Sequence, residues 1–469
     1  MGSGFEERLC VIVELLTQPA VSSILFQHIY SELEEVGSKP CSLLLQRAIR
    51  CRDGGDWDGC REAALKAREY AWEQLHSGPA WQAVAKVHRD AYGVAGTLVA
   101  LAIFLSGEAG SLDQAVFTLD LVAMMAGGRF QGVANTFVEA MEANALAETD
   151  VASGASTTEQ PCPCPRPCAG ATTTAAPTAP PPKKAKLDQP RAATGEPGSS
   201  GSIRRIKMPP LDVFQRDYME TATPVILSGV LDGWPAMGAT RNWSNPSYIR
   251  RVAGRRTVPV ELGGTYTGEG WRQELMTIGD FIGRFIEPTT NTGDGHPADD
   301  DGGSLDAGGK AYLAQHQLFD QIPALRRDIM TPDYCALLLE DEENDRDAGS
   351  VATNAWFGPA GTVSPLHNDP FHNLLAQVVG SKRVLLVDRK LSESVYPRPG
   401  LMSNTSEVDA ANPNLSEHPR FKELLPLMEC ELRQGEVLYI PPLFWHYIES
   451  LEVSFSVSFW WGKRRSLLC

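Results

Sequence analysis

The sequence has no apolar run long enough to cross a lipid bilayer. The longest, Val94–Leu105, is interrupted by Gly96 and Thr97 and falls well short of the roughly 20 apolar residues that a membrane-spanning helix requires. We therefore expect a buried helix in this segment and no association with a membrane.

Cysteine is present, but not in the spacing of a disulfide framework. The ten cysteines are scattered, and no stretch with the composition of a secretory signal precedes them, so we expect a reducing compartment. Cys162, Cys164 and Cys168 lie close together. A structural zinc site requires four ligands, however, and no fourth is near, so zinc binding is the less favoured interpretation of these thiols.

Basic residues are outnumbered by acidic ones. The chain has 42 Lys and Arg against 58 Asp and Glu, a net charge of −16, which argues against direct sequence-specific nucleic-acid binding and favours a basic substrate or partner. One basic cluster, Lys183, Lys184 and Lys186, stands in a neutral, proline-rich tract. Nuclear import receptors bind such clusters, so we expect a nuclear protein. A solvated charge run, or a protein that is also cytoplasmic, is the alternative.

Hydrophobic periodicity divides the chain into three segments. Residues 1–147 show helical spacing, for example at Ile12, Leu15 and Leu16, and predict an all-α domain of about six helices. A solenoid of helix pairs is the alternative, although no clear internal period is visible. Residues 148–203 are rich in Ala, Thr, Pro, Gly and Ser and predict a disordered linker.

The remaining segment, residues 204–469, has short strand candidates separated by Gly and Pro turns. Such a pattern predicts a β-sandwich or barrel, so we expect an α+β protein with a helical N-terminal domain. Polar inserts at 289–309 and 340–347 interrupt this segment and predict surface loops.

The stretch Ser364-Pro-Leu-His-Asn-Asp-Pro carries a His and an Asp two residues apart. Residues i and i+2 of a β-strand point to the same face, so His367 and Asp369 could reach one metal ion. His446 could join them from a neighbouring strand. Two imidazoles and one carboxylate with open positions are the ligands of non-haem Fe(II) oxygenases. Taken alone, His-x-Asp is also compatible with an ordinary surface strand.

Two polar residues follow on the next strand candidates, Asn373 in Asn-Leu-Leu-Ala-Gln-Val-Val and Lys382 in Lys-Arg-Val-Leu-Leu-Val. A lysine that faces inward among Val and Leu requires an anion, because a lone buried ammonium is costly. The diacid 2-oxoglutarate would supply one carboxylate to Lys382 and bind iron with its other end. The alternative is a solvated lysine in the turn Gly380-Ser-Lys-Arg.

Five blocks of residues 204–462 carry a resemblance to a known family. They are Thr257-Val-Pro-Val-Glu261, Tyr312-Leu-Ala-Gln-His-Gln-Leu-Phe-Asp-Gln-Ile-Pro, Asn354-Ala-Trp-Phe-Gly-Pro, Ser364-Pro-Leu-His-Asn-Asp-Pro and Ser454-Phe-Ser-Val-Ser-Phe-Trp-Trp461. This region resembles the JmjC-domain Fe(II)/2-oxoglutarate oxygenases. The helical segment, notably Trp72-Glu-Gln-Leu, resembles the helical domain of one branch of that family. The resemblance implies a double-stranded β-helix of the cupin or jelly-roll type.

The resemblance also implies a role for each matching side chain of a 2-oxoglutarate-dependent dioxygenase, whose cofactors are Fe(II), 2-oxoglutarate and O₂. The iron ligands would be His367, Asp369 and His446. The side chains that hold 2-oxoglutarate would be Tyr312, Ser364, Asn373 and Lys382. Two indoles would line the cofactor pocket, Trp356 and Trp460.

The resembled branch includes enzymes described as histone lysine demethylases and as protein arginyl hydroxylases that act at C3 of the side chain. Glu261 and Trp271 match positions that contact a substrate arginine. A carboxylate can bind a guanidinium bidentately and an indole can stack on it, whereas methyl-lysine favours an aromatic cage. We therefore expect an arginyl hydroxylase. Departures at Gly263, Gly264 and Thr265 lie beside these two residues.

Other interpretations remain open from the sequence. Glu261 could be a solvent-facing strand residue and Trp271 a core aromatic residue. The protein could be a histone lysine demethylase and chromatin regulator, a cupin enzyme acting on small molecules, or a non-catalytic JmjC adaptor. The adaptor is disfavoured because His367, Asp369, His446 and Lys382 are all present.

Overall fold

The structure is a computed structural model that describes residues 3–19, 21, 29–76, 84–152, 203–268, 270–287, 310–342, 345 and 348–464. Two expectations therefore lie outside the described residues. They are the linker between 153 and 202, with its cysteine and lysine clusters, and the insert at 289–309.

Seven helices make up the described part of the N-terminal segment; from the second onward each packs against the next, and the first packs against the fifth and the seventh. Their bounds are α1 Ser3–Thr17, α2 Ile29–Glu35, α3 Lys39–Asp53, α4 Trp57–His76, α5 Lys86–Ser106, α6 Ser111–Ala126 and α7 Gly128–Ala152. The last helix thus continues past residue 147, where the helical domain is expected to end.

Helix α5 is the centre of this segment. All of its residues from Val94 to Leu105 are buried, which confirms the expected buried helix. By length and composition alone α5 could cross a membrane, but 89% of its apolar window is buried inside the protein. A Cβ at Gly96 would come within 2.4 Å of Val122 in α6, so glycine is needed for the close approach of α5 to α6.

In the described part of the second half, 13 strands form two sheets. A nine-stranded sheet has the order β1-β2-β11-β8-β13-β6-β5-β3-β4, and a four-stranded sheet has the order β10-β9-β12-β7. The strand bounds are β1 Arg205–Lys207, β2 Val225–Ser228, β3 Thr257–Leu262, β4 Arg272–Thr277, β5 Ala311–His316, β6 Ala352–Gly358, β7 Val363–Asn368, β8 His372–Val379, β9 Lys382–Val387, β10 Met428–Leu432, β11 Glu436–Ile440, β12 Trp445–Ser450 and β13 Ser454–Trp461.

Short helical turns connect these strands. The α-helical turns are α8 Leu211–Phe214, α9 Pro246–Ala253, α10 Ile278–Phe281, α11 Leu318–Gln321 and α12 Pro323–Arg326. Two π-helical turns are Gln215–Met219 and Ile282–Ile286, and five 3₁₀ turns are Pro235–Met237, Asp333–Ala336, Arg389–Val395, Gly400–Met402 and Pro419–Leu424.

Strand β8 shows how the two sheets enclose a site. Its residues alternate between faces, because successive side chains of a strand point to opposite sides. Leu374 and Ala376 join the large core that the short helices cover. Leu375 points the other way and packs with Val384 of the small sheet. Asn373 shares this second face, so it lies between the two sheets. The α+β class and the jelly-roll architecture are confirmed.

The helical segment docks on the large sheet through a buried polar network. Asp120 of α6 accepts hydrogen bonds from Arg256 Nη2 at 2.7 Å, from the backbone N–H of Thr257 at 2.7 Å and from Gln321 Nε2 at 2.9 Å. The Asp120 and Arg256 side chains are only 0% and 5% exposed. No local sequence pattern predicts this contact, because its partners lie far apart in the chain.

The expectation of a surface loop at 340–347 is wrong for Glu342, because its side chain is fully buried. Its carboxylate accepts a hydrogen bond from the backbone N–H of Leu339 at 3.0 Å and lies 3.3 Å from Nε2 of His372. His372 Nδ1 is hydrogen-bonded to the Tyr439 hydroxyl at 2.8 Å. The acidic insert therefore anchors β8 from the side opposite to Asn373.

Candidate active site

Strand pairing brings two imidazoles together between the sheets. In the antiparallel pair β7 and β12, His446 stands directly opposite His367, and their ring centroids are 4.2 Å apart. Asp369 lies just beyond the end of β7 at Asn368, so the expected strand geometry does not place it. Instead, its backbone oxygen accepts a hydrogen bond from the N–H of Leu443 at 2.7 Å, which fixes the turn.

The three side chains form one compact cluster. Asp369 Oδ2 lies 3.4 Å from His446 Nε2 and 3.9 Å from His367 Nε2, and the three candidate ligand atoms all lie within 4.8 Å of one another. Each imidazole uses Nδ1 on a backbone carbonyl, Pro365 for His367 at 2.7 Å and Phe444 for His446 at 2.9 Å. These bonds select the tautomer whose Nε2 lone pair points into the cluster.

Burial and mutual charge set the protonation of the cluster. Burial, followed by the charge of His446, lowers the pKa of His367 to about 4. Burial acts to raise the pKa of Asp369, but the close approach of His446 and His367 outweighs it and lowers that pKa. Neutral His367 beside an ionised carboxylate is the state that binds a cation.

Lys382 lies deeper between the sheets and is only 1% exposed. Its Nζ donates a hydrogen bond to the Tyr312 hydroxyl at 3.0 Å, and Tyr312 is hydrogen-bonded to Ser364 in turn. Burial lowers the pKa of Lys382 to about 7, with no opposing charge. Within the described part of the chain, no carboxylate pairs with this amine. Because Lys382 is buried, the alternative of a solvated turn lysine is wrong.

One inner cavity joins this lysine to the cluster of His367, Asp369 and His446. Asn373 Oδ1 is buried there without a hydrogen-bond partner, and Trp356 Nε1 donates to Ser458 at 2.9 Å. The structure brings eight of the eleven residues expected in the site into this cavity, namely Tyr312, Trp356, Ser364, His367, Asp369, Asn373, Lys382 and His446. Trp460, Glu261 and Trp271 do not line it.

An outer cavity of about 470 Å³ continues from the cluster toward the surface, and Glu261 and Trp460 line it. Burial raises the pKa of Glu261, while a hydrogen bond with Trp271 acts to lower it. Trp271 itself is 40% exposed and supports Glu261 from outside the cavity. Glu261 is thus a half-buried carboxylate. The alternative interpretation of Trp271 as a core aromatic residue is wrong, because its side chain is exposed.

The outer cavity also contains residues that the sequence does not single out. Tyr266 and Thr405 face each other across it, with their hydroxyls 3.4 Å apart, and Thr405 forms an isolated bridge with His367. Asn404 and Gln315 complete its rim. These residues come from loops or from a strand end, where no periodicity or motif spacing marks them.

Comparison with known proteins agrees with this geometry. Residues 210–466 match the family described as Cupin-like domain, and residues 51–155 match the family described as KDM8-like, N-terminal ARM repeats. The chain belongs to the JmjC oxygenases of the cupin-like family. Its helical segment is ARM-like, as in the solenoid alternative. The JmjC chain is therefore a 2-oxoglutarate-dependent dioxygenase rather than a non-catalytic adaptor.

Curated relatives place this JmjC oxygenase in the demethylase and hydroxylase branch. It is 38% identical over 411 residues to "Lysine-specific demethylase 8" of Danio rerio, covering 86% of this chain and 88% of the relative. It is 38% identical over 422 residues to "Lysine-specific demethylase JMJ30" of Arabidopsis thaliana, covering 86% and 87%. "Jumonji C domain-containing protein 5" of Drosophila melanogaster is 40% identical over 269 residues, covering 56% and 60%.

Proposed function

We propose that this oxygenase hydroxylates C3 of an arginine side chain in a partner protein. The observation that carries the proposal is Glu261, a half-buried carboxylate in the outer cavity that has no cationic partner among the described residues. A guanidinium is charged at all physiological pH values, so its binding site must neutralise it. Glu261 would do so bidentately, with Trp271 fixing the carboxylate from outside.

His367, Asp369 and His446 would hold Fe(II). Their donor set, two neutral nitrogens and one carboxylate oxygen, suits a non-haem iron site with open positions, and the two backbone-anchored imidazoles present Nε2 to one point. When bound, the iron supplies the family's chemistry, in which O₂ converts 2-oxoglutarate to succinate and CO₂ and one oxygen atom enters a substrate C–H bond.

Four residues of the inner cavity would bind and orient 2-oxoglutarate, with Trp356 beside them. Lys382 would donate to the distal carboxylate together with the Tyr312 hydroxyl, to which it is already bonded. Asn373 and Ser364 line the same cavity and would donate further hydrogen bonds to the cosubstrate. The buried, unpaired amine fits a dianion, because its charge would then be stabilised instead of lost.

Lysine demethylation is the second candidate, and two observations favour it. Curated relatives are named lysine-specific demethylases, and several aromatic residues line the outer cavity, among them Tyr266, Phe371 and Trp460. Aromatic rings can surround a methylated ammonium. The choice between the two substrates therefore depends on whether Glu261 or these rings recognise the target.

A single assay separates the two candidates. The purified chain would be incubated with Fe(II), ascorbate and 2-oxoglutarate, and either an arginine peptide or a histone-tail peptide with methylated lysine. Succinate and peptide mass would be measured together. The proposal expects the arginine peptide to gain one oxygen atom. Loss of methyl groups from the lysine peptide, with the arginine peptide unchanged, would establish the demethylase instead.

We further propose nuclear import through the Lys183, Lys184 and Lys186 cluster, and action on nuclear proteins, histones included. The basic cluster lies in the proposed linker 148–203, between the helical domain at 1–147 and the catalytic domain at 204–469. Family matches that end at residue 155 and resume at residue 210 support this division. Replacing the three lysines with alanine in a fluorescent fusion should move the signal to the cytoplasm.

A further inference from the structure

The β3–β4 hairpin presents one continuous face to two cavities. Pro259 and Glu261 are two residues apart on β3 and therefore point to the same side, about 7 Å apart along the strand. Leu275 stands opposite Pro259, and Gln273 opposite Glu261. Glu261 lines the outer cavity of the active site. Pro259, Gln273 and Leu275 line a second cavity, which lies between the hairpin and the helical domain.

This second cavity, the interdomain groove, has a volume of about 680 Å³ and walls from both domains. Its apolar surface includes Trp72 of α4, Phe117 of α6 and Leu275 of β4, which are 45%, 42% and 45% exposed. Among the described residues, no charged side chain lines the groove, and several glutamine amides do. An uncharged groove with exposed aromatic and aliphatic walls is suited to an apolar side chain, while the amides can bond a peptide backbone.

Gln315, at the end of β5, lines both the outer cavity and the groove. Its backbone has a φ of 48°, a left-handed conformation that residues other than glycine rarely adopt. The next residue, His316, is hydrogen-bonded through Nε2 to Gln321 at 2.6 Å, and Gln321 donates to Asp120 of the helical domain. The boundary between the two cavities is therefore held by the same network that docks the domains.

We propose that the interdomain groove binds the segment of the substrate polypeptide that flanks the target residue, with one apolar side chain against Phe117 and Leu275. The proposal rests on the proposed function, in which the target side chain enters the outer cavity at Glu261. A polypeptide that leaves this cavity along the hairpin face reaches Pro259 within about 7 Å, the length of two extended residues. The helical domain thereby selects substrates by a residue near the target.

Peptide scanning tests this assignment. The probes are fluorescein-labelled peptides of alanine and serine with one central arginine, in which a single leucine occupies each other position in turn. Binding would be measured by anisotropy and turnover by mass. The variants are Phe117→Ser and Leu275→Ser in the groove, with Leu391→Ser as the matched control, because Leu391 is 43% exposed and lies outside the groove.

We expect leucine at one or two neighbouring positions to tighten binding by about tenfold, since it buries an apolar side chain. Both groove variants should lose this gain, while Leu391→Ser keeps it and the KM for 2-oxoglutarate stays unchanged in all three. The inference is overturned if no position matters, or if both groove variants retain the preference. If leucine peptides bind through the groove but their arginine is never oxidised, the groove stands and the arginyl reaction is wrong.

Discussion

At the scale of single residues, the site depends on charges that folding places out of water. Lys382 is fully enclosed, and Glu261 is half-buried without a cation. An isolated buried charge is costly, so each is expected to contribute more to ligand binding than to the stability of the empty protein. Both residues therefore allow a test in which binding changes and folding does not.

Lys382 should make 2-oxoglutarate binding depend on pH. Its pKa is lowered to about 7 by burial, so the empty site loses its positive charge as the pH rises above 7. A bound dianion restores that charge, and binding above pH 7 should therefore take up a proton and weaken as the pH increases. Calorimetry of the anaerobic Fe(II) protein, in buffers of different ionisation enthalpy, measures the proton uptake.

The same lowered pKa makes the folded protein more stable as the pH rises. A lysine that gains an ion-pair partner on folding has the opposite effect. Between about pH 7 and the ordinary lysine pKa, near 10.4, the unfolded chain binds the proton that the folded chain has released, so this residue makes unfolding less favourable as the pH rises.

Lys382→Met should abolish the proton uptake and weaken 2-oxoglutarate binding by about ten- to a hundredfold. Lys310→Met, at an exposed position, should change neither, and an unaltered affinity in Lys382→Met would remove it from the cosubstrate site.

Glu261→Gln should reduce kcat/KM for an arginine peptide by roughly thirtyfold or more, because a desolvated charge pair loses at least about 2 kcal/mol. Binding of Fe(II) and 2-oxoglutarate should be unchanged. Glu274→Gln is the matched control, since Glu274 lies on the other face of the same hairpin and pairs with Arg284 at 3.7 Å. Equal kcat/KM values for Glu261→Gln and the parent would exclude Glu261 from substrate recognition.

At the scale of elements, strand pairing positions the two histidines of the candidate metal site. Register sets His446 opposite His367. Both imidazoles are oriented by nearby backbone carbonyls, of Pro365 within β7 and of Phe444 just before β12. The buried pair Glu342 and His372 lies on the side of β8 opposite to Asn373. Two of the three candidate ligands are thus presented by paired strands, and Asp369 by the turn that follows β7.

His446→Ala should remove Fe(II) binding while the protein remains folded, because the paired strands β7 and β12 do not depend on this side chain. Titration with Fe(II) under anaerobic conditions, followed by circular dichroism, checks both statements. His76→Ala, at an exposed position on α4, should bind iron normally; retained stoichiometric iron in His446→Ala would contradict the proposed ligand set.

At the scale of the whole molecule, the helical domain and the oxygenase domain share one buried network. Asp120 bonds to residues of β3 and of the turn after β5, the two strands that carry Glu261 and Tyr312. The interdomain groove lies along this contact, since Gln321 is also one of its lining residues.

Asp120→Ala should lower the free energy of unfolding by about 3–5 kcal/mol, because it leaves the Arg256 guanidinium buried without its partner. Asp113→Ala provides the control, since Asp113 joins Arg255 across the same interface with both side chains more than half exposed, and exposed pairs contribute about 0–1 kcal/mol. Urea unfolding curves give both values. Equal losses in the two variants would show that burial of the Asp120 network has no special role.

The sequence by itself determined the α+β class, and it predicted the grouping of His367, Asp369 and His446 and an inward-facing Lys382. These features depend on residue type, on local periodicity and on contiguous motifs such as Ser364-Pro-Leu-His-Asn-Asp-Pro, all of which are visible along the chain. Only the tertiary structure decided that Asp369 lies beyond its strand, that Glu342 is buried, and that Asp120 meets Arg256. Such contacts join residues distant in sequence or placed by turns, and chain closure positions them without leaving a periodic signal.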